Sequence, residues 1–195
     1  MTAPRRRVGA ENSATRTAIL EATEQVLVEE GYAAASTRRV AARAGLKPSL
    51  VHYYFPTTDD LLLAVYRRSA EWANEELEKA LADPDPLLAL WRYTIDTTRT
   101  ALMIEFIAMA AHRAPLREAI TQHAGRTHAL QVAAVERALG KRAKELPPVV
   151  LVAVISALGR SLVMEAGIGT GFGHSEASAW FEEWLKRQRT PPADA

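Results

Sequence analysis

The chain has 195 residues, a formal net charge of +1, no cysteine and 48% hydrophobic residues. That apolar content excludes wholesale disorder, and the missing cysteines exclude disulfides, thiolate metal sites and a cysteine nucleophile. The longest apolar run, about Val149 to Gly159, falls short of the roughly 18 residues of a membrane span, and the basic start Arg5-Arg6-Arg7 has no apolar stretch behind it to make a secretory signal. Residues 1–11 read as a flexible basic arm. Ala18, Ile19, Ala22, Val26 and Leu27 recur at helical spacing, with Asn12 or Ser13 as the cap and Gly31 as the stop. Ser36 or Thr37 caps a short second helix facing Val40, Ala41 and Ala44 inward, and Gly45 ends it. Pro48 opens an equally short third helix to about Tyr54. Pro56 closes that helix, and Thr57 with Asp60 forms a capping box for a fourth, running to about Ala82.

The remainder also reads as helix. A fifth element spans about Pro86 to Thr98. A sixth, Ala101 to Ala111, is apolar nearly all round and is expected to be buried. A seventh runs from Pro115 to Leu139, an eighth from Pro147-Pro148 to Gly167, and a ninth from a Ser175 cap to about Arg187. No β-branched residues alternate with polar ones over a strand length. The fold class is all-α, with about nine helices: an amino-terminal three-helix domain over 12–57, a larger helical domain over 58–188, and a disordered tail over 189–195.

The charge is uneven. Residues 1–55 carry a net +3 and the rest a net −2, and Ser36–Phe55 holds four basic residues and no acidic one. Two short helices joined by a tight glycine turn form a helix-turn-helix, whose second helix enters the DNA major groove. Val40, Ala41, Val51 and Phe55 suit the small core behind it, and Leu46 packs in the turn.

At Thr37-Arg-Arg-Val-Ala-Ala-Arg-Ala-Gly-Leu-Lys-Pro-Ser-Leu-Val-His-Tyr-Tyr-Phe55 and Asp59-Asp60-Leu61-Leu62 the chain resembles the tetracycline-repressor (TetR) family of bacterial transcription regulators. Ile19-Leu20-Glu21-Ala22 and Glu30-Gly31-Tyr32 fit that family's first helix, so the resemblance covers about residues 13–66. It implies that Thr37 binds a phosphate and that Arg38 reaches a base edge or phosphate. Lys47, Pro48, Ser49 and Leu50 then begin the reading helix, with His52 and Tyr54 on the backbone and Tyr53 and Phe55 packed inward. Two positions depart from the family pattern: Lys47 replaces a small polar residue, and Thr58 stands where a phosphate-binding lysine is common. Arg5–Arg7 either compensate from the minor groove or form a plain disordered tail.

The resemblance further implies a small-molecule effector in the larger domain. Trp91, Tyr93, Met103, Phe106, Met109 and Met164 are the candidate lining, although an aromatic and methionine stripe also describes ordinary core. Glu105, alone among apolar residues, suits an ion pair with Arg99 or Arg160, or a cationic ligand. Ala153 and Ala157, with Trp180, Phe181 and Trp184, give the last two helices wide apolar faces, covered by the core or by a second copy in a four-helix bundle. His112, His123 and His128 lack metal-ligand spacing, the glycines of 167–173 lack the companions of a phosphate loop, and no catalytic constellation stands out. The expected protein is thus a cytoplasmic homodimeric regulator, without metal or cofactor and not an enzyme. It would most simply be a repressor released from a palindromic double-stranded operator by its effector. The alternative is a small-molecule-binding protein whose helix-turn-helix is only architectural. The helix over 58–82 would carry the signal.

Overall fold

The computed structural model describes residues 13–188, so the basic arm, the Asn12 cap and the carboxy-terminal tail lie outside the described residues. Those residues are helical almost throughout: α1 (Ala14–Glu30), α2 (Thr37–Arg43), α3 (Pro48–Tyr54), α4 (Thr58–Leu81), α5 (Pro86–Thr94), α6 (Thr97–Ala110), α7 (Ala114–Leu139), α8 (Pro148–Gly167) and α9 (His174–Gln188). Short 3-10 turns follow α1 at Tyr32–Ala34 and α7 at Gly140–Lys144. Two compact units result. One joins the residues up to Ser69 with Glu105–Ile120; the other joins Ala70–Ile104 with the residues from Thr121 onward. The first unit therefore takes in the start of α4 and parts of α6 and α7 as well as the three amino-terminal helices.

Local chemistry sets the element ends. Ser13 caps α1 by accepting the Arg16 N–H at 3.1 Å, and Ser36 caps α2 by accepting that of Arg39 at 3.2 Å. The Thr57 hydroxyl accepts the Asp60 N–H at 3.1 Å while the Asp60 carboxylate accepts the Thr57 N–H at 3.0 Å, a reciprocal box that starts α4. The fifth helix is shorter than its periodicity suggests. It stops at Thr94 because Asp96 caps a new helix, accepting the Arg99 N–H at 2.9 Å. The sixth helix is not buried all round: Phe106 and Met109 are inside, whereas Ile107 is 46% exposed.

In the second unit Trp91 and Leu90 of α5 meet Val135 and Leu139 of α7, Leu151 and Ile155 of α8, and Phe181 and Leu185 of α9 in one buried cluster. Trp91 stands edge-on to Phe181 with ring centroids 4.8 Å apart. Burying each such side chain contributes about 1.5–3 kcal/mol. Gly159 of α8 is part of this packing, since a Cβ there would overlap Thr94 Cγ2 of α5. Counted as a whole helix rather than as an uninterrupted run, α8 is long and apolar enough to cross a membrane, alone in this among the described residues. Its Leu151, Val152 and Ile155 are core residues of this unit.

Candidate nucleic-acid interface

The turn between α2 and α3 is a Schellman arrangement. Gly45, at φ 68°, follows the last residues of α2, and the Leu46 N–H donates to Ala41 O at 2.9 Å while the Gly45 N–H donates to Ala42 O at 3.3 Å. These bonds use the carbonyls that α2 leaves unpaired and reverse the chain within three residues. Pro48 then occupies the first turn of α3, where a missing N–H costs nothing. Val51 and Phe55 are buried, at 1% and 5% exposure, and fix which side of α3 faces inward. Arg16 lies over the Phe55 ring at 5.2 Å.

The opposite side of the motif is open. Arg38, Lys47, Pro48, Ser49, His52 and Thr58 are exposed, and Thr37, Leu50 and Tyr54 are half-buried. Because Ser36 caps α2, the Thr37 hydroxyl is not spent on capping. Tyr53 does not pack inward as expected. Three residues beyond Leu50, it lies on the open side, 52% exposed, with its ring edge-on to Tyr54 at 5.2 Å.

The acid-free stretch Ser36–Phe55 is electrostatically less uniform than its sequence. Glu30, at the end of α1, accepts from Arg39 Nε at 2.8 Å and Nη2 at 2.6 Å and from Arg43 Nη2 at 2.8 Å. Glu29 pairs with Arg43 at 2.7 Å. The Arg39 hydrogen bond, reinforced by the two positive charges, holds the Glu30 carboxyl below its usual value, and Glu30 raises Arg39 in return. Arg38 and Lys47 have no ion-pair partner among the described residues. Sequence reasoning did not single out Glu29 and Glu30; helical spacing alone does not reveal that the end of α1 meets α2.

Two contacts bring later residues to the same unit. Arg113 Nε donates to Asp59 at 3.0 Å, and Glu105 accepts the Tyr32 backbone N–H at 3.3 Å. The partner of Glu105 is thus an amide of the α1–α2 connection, not Arg99 or Arg160. Arg99 lies over the Tyr93 ring at 4.1 Å and donates to Tyr93 O at 3.0 Å.

The residues proposed to line an effector site are divided between the two units. Phe106 and Met109 are buried in the first, Phe106 edge-on to Tyr66 at 5.2 Å. Trp91 is in the core of the second, Met103 is half-buried, and Met164 is 52% exposed. Tyr93 borders a surface groove of about 450 Å³ with Glu76, Lys79, Asp85, Arg92 and Arg99. Its hydroxyl donates to Ala73 O at 2.9 Å, and burial pushes its pKa up. Of the residues expected at a subunit contact, Ala153, Ala157 and Trp180 are exposed, whereas Phe181 points into its own core against Trp91 and stacks on the half-buried Trp184. No group of three or more metal-ligating side chains occurs among the described residues.

Residues 19–65, which hold this motif, match the family model described as bacterial regulatory proteins, tetR family. Residues 19–65 of the chain are thus a TetR-family helix-turn-helix region. The chain is 36% identical over 97 residues to the HTH-type transcriptional repressor LfrR of Mycolicibacterium smegmatis. That match covers 50% of each protein, so it spans only half the length of this curated relative. Among solved structures, the multidrug binding protein EbrR, complexed with imidazole, is similar at 26% identity and a TM-score of 0.62, over 93% of this chain and 98% of that one. A TetR transcription regulator of Haloarcula marismortui shares the fold at 16% identity and a TM-score of 0.71, over 90% and 97% of the two chains. The TetR fold is thus matched along most of the chain, and the family model on the helix-turn-helix.

Proposed function

We propose that this TetR-family protein is a homodimeric repressor that binds a palindromic DNA operator in the cytoplasm and is released by a small molecule. One observation carries the DNA-binding half. The reading helix α3 is buried on its Val51 and Phe55 side and presents Lys47, Ser49 and Leu50 outward, with no acidic side chain on the helix. Thr37 and Arg38 at the start of α2, with His52 and Tyr54, hold phosphates and fix the register, Thr58 gives a weaker backbone contact than a lysine would, and Lys47, Ser49 and Leu50 meet base edges. The repressor LfrR, alike over half of its length, supports repression over activation.

The effector half is supported by buried polar atoms. Trp91 Nε1 and Gln131 Oε1 are buried in the second unit with no hydrogen-bond partner among the described residues. An unsatisfied buried polar group costs about 1–3 kcal/mol, so a ligand that supplies the missing partners binds with that advantage. That EbrR is complexed with imidazole accords with this reading. Such a ligand shifts the protein away from DNA only to the extent that it favours the unbound form. If the helix-turn-helix were architectural, ligand would bind and DNA would not.

The test is selection from a pool of randomised duplexes, followed by titration of the enriched duplex against salt. The expected outcome is enrichment of an inverted repeat and a steep loss of affinity with salt through counterion release. Arg38→Ala should flatten the salt dependence by about one counterion per lost phosphate contact, whereas Lys47→Ala should relax the preference at the base pair it meets. Absence of enrichment even at low salt overturns the operator reading.

A further inference from the structure

We propose that the outward face of α3 and the turn before it, made by Leu46, Leu50 and Tyr53, reads the 5-methyl group of a thymine in the operator, with Tyr53 and Leu46 as specificity residues beside Leu50. This inference rests on the operator-binding reading above and adds the kind of base edge that is recognised.

The reading helix has two apolar sides. Val51 and Phe55 form the inner one and are buried. Leu50 and Tyr53, three residues apart, lie together on the outer one, where with Gly45 and Leu46 of the turn, Lys47 and Ser49 they border a shallow, mostly apolar concavity of about 510 Å³. The inner side is accounted for by the core. The outer side is not: Tyr53 is 52% exposed and Leu50 is half-buried. Apolar side chains there stay in contact with water because they gain no partner inside the subunit.

The position of this face identifies its occupant. A helix-turn-helix lays its second helix in the major groove. The groove floor is almost wholly polar: guanine and adenine offer N7, with O6 or an amino group, and cytosine offers an amino group. Thymine alone adds a methyl group at C5. An apolar hollow on the reading helix therefore matches the thymine methyl group, which the other three bases lack. Two features shape the hollow. Gly45 has no side chain, and a Cβ there would meet nothing within 4 Å, so the rim is open. Tyr54 stands edge-on to Tyr53 and limits the swing of its ring. Lys47 at the rim, without an ion-pair partner among the described residues, supplies the positive charge that draws the hollow toward DNA.

The experiment takes the duplex enriched from the randomised pool and replaces each thymine in turn by deoxyuridine. This removes one methyl group and leaves base pairing intact. Burial of a methyl group corresponds to about fourfold in affinity. The expected result is a loss of about that size at one thymine per half-site and little change at the others. In Tyr53→Ala and in Leu50→Ala, the thymine and deoxyuridine duplexes should bind within twofold of each other. Arg38→Ala should weaken both and preserve their ratio. Tyr53 is exposed, so its truncation leaves the fold intact, and circular dichroism checks this. A selected duplex bound equally well with deoxyuridine at every position overturns the proposal while leaving operator binding in place. So does a methyl effect that persists undiminished in both variants, or a face that proves to join two copies of the chain. No selected duplex at all overturns the operator reading and this inference with it.

Discussion

Glu30 shows how one side chain changes the meaning of its neighbours. The two cations it engages, Arg39 and Arg43, look from the sequence like part of a DNA-facing patch, yet both guanidiniums are turned to the end of α1. Glu30→Gln removes the charge that holds Arg39 and leaves Arg43 only its pair with Glu29. The expected result is tighter non-specific duplex binding at low salt and a salt dependence steeper by about one unit of slope for each phosphate newly reached, measured by fluorescence anisotropy. The paired state has a defined pH range. A carboxyl with a lowered folded pKa stabilises the fold above its ordinary value, near 4.5, and loses that contribution as pH falls through the lowered value. A carbon-13 titration of Glu30 should have its midpoint below 4.5, moving toward it in Arg39→Ala. Glu105 teaches a similar lesson. Its isolation among apolar residues was a legible signal, but its partner is a backbone amide 73 residues away, and no side-chain inventory names a backbone group.

At the scale of elements, local signals carried furthest where the ends are fixed by short-range chemistry. Gly45, Pro48 and the Thr57–Asp60 box fall where the sequence placed them, because a left-handed residue, a ring without an N–H and a reciprocal cap each act within a few residues. The break between α5 and α6 falls earlier than the expected one after Thr98, because Asp96 sits among threonines in a stretch whose apolar period runs on, and its capping bond to the Arg99 N–H decides the boundary. Close approach between helices is a longer-range matter, and Gly159 gives its test. A Cβ at this position would overlap Thr94 Cγ2 and lie 3.1 Å from Thr94 Cβ. Thr94 cannot readily turn aside, since it is buried and its hydroxyl donates to Leu90 O at 2.8 Å. Alanine is the better helix former by about 1 kcal/mol, yet overpacking costs about 1–3 kcal/mol. Gly159→Ala is therefore expected to lower stability to urea. Adding Thr94→Ser, which removes the methyl group and keeps the hydroxyl, should recover most of the loss.

At the scale of the whole molecule, the last two helices carry wide apolar faces in the sequence, which does not show which residues each face spends on the core. Phe181 and Leu185 are spent inside, with Trp91 and Ile155. Val149, Val150, Val154 and Trp180 are left 62%, 50%, 45% and 62% exposed. The residues Val149, Val150, Ala153, Val154 and Ala157 border an apolar concavity of about 450 Å³ on α8. Exposed apolar surface of this kind marks an interaction site, and a two-fold dimer meets itself through one such surface. Adjacent residues then predict opposite failures. Trp180→Glu puts a charge on the open face and leaves the core untouched. It should sediment as a monomer, keep its melting temperature when compared at the same low concentration, and bind a two-half-site operator far more weakly than a dimer does. Phe181→Ala empties a core position, at a cost of about 3–5 kcal/mol, and should unfold early whatever its association. A Trp180→Glu protein that stays dimeric moves the contact to another surface; one that unfolds like Phe181→Ala returns Trp180 to the core.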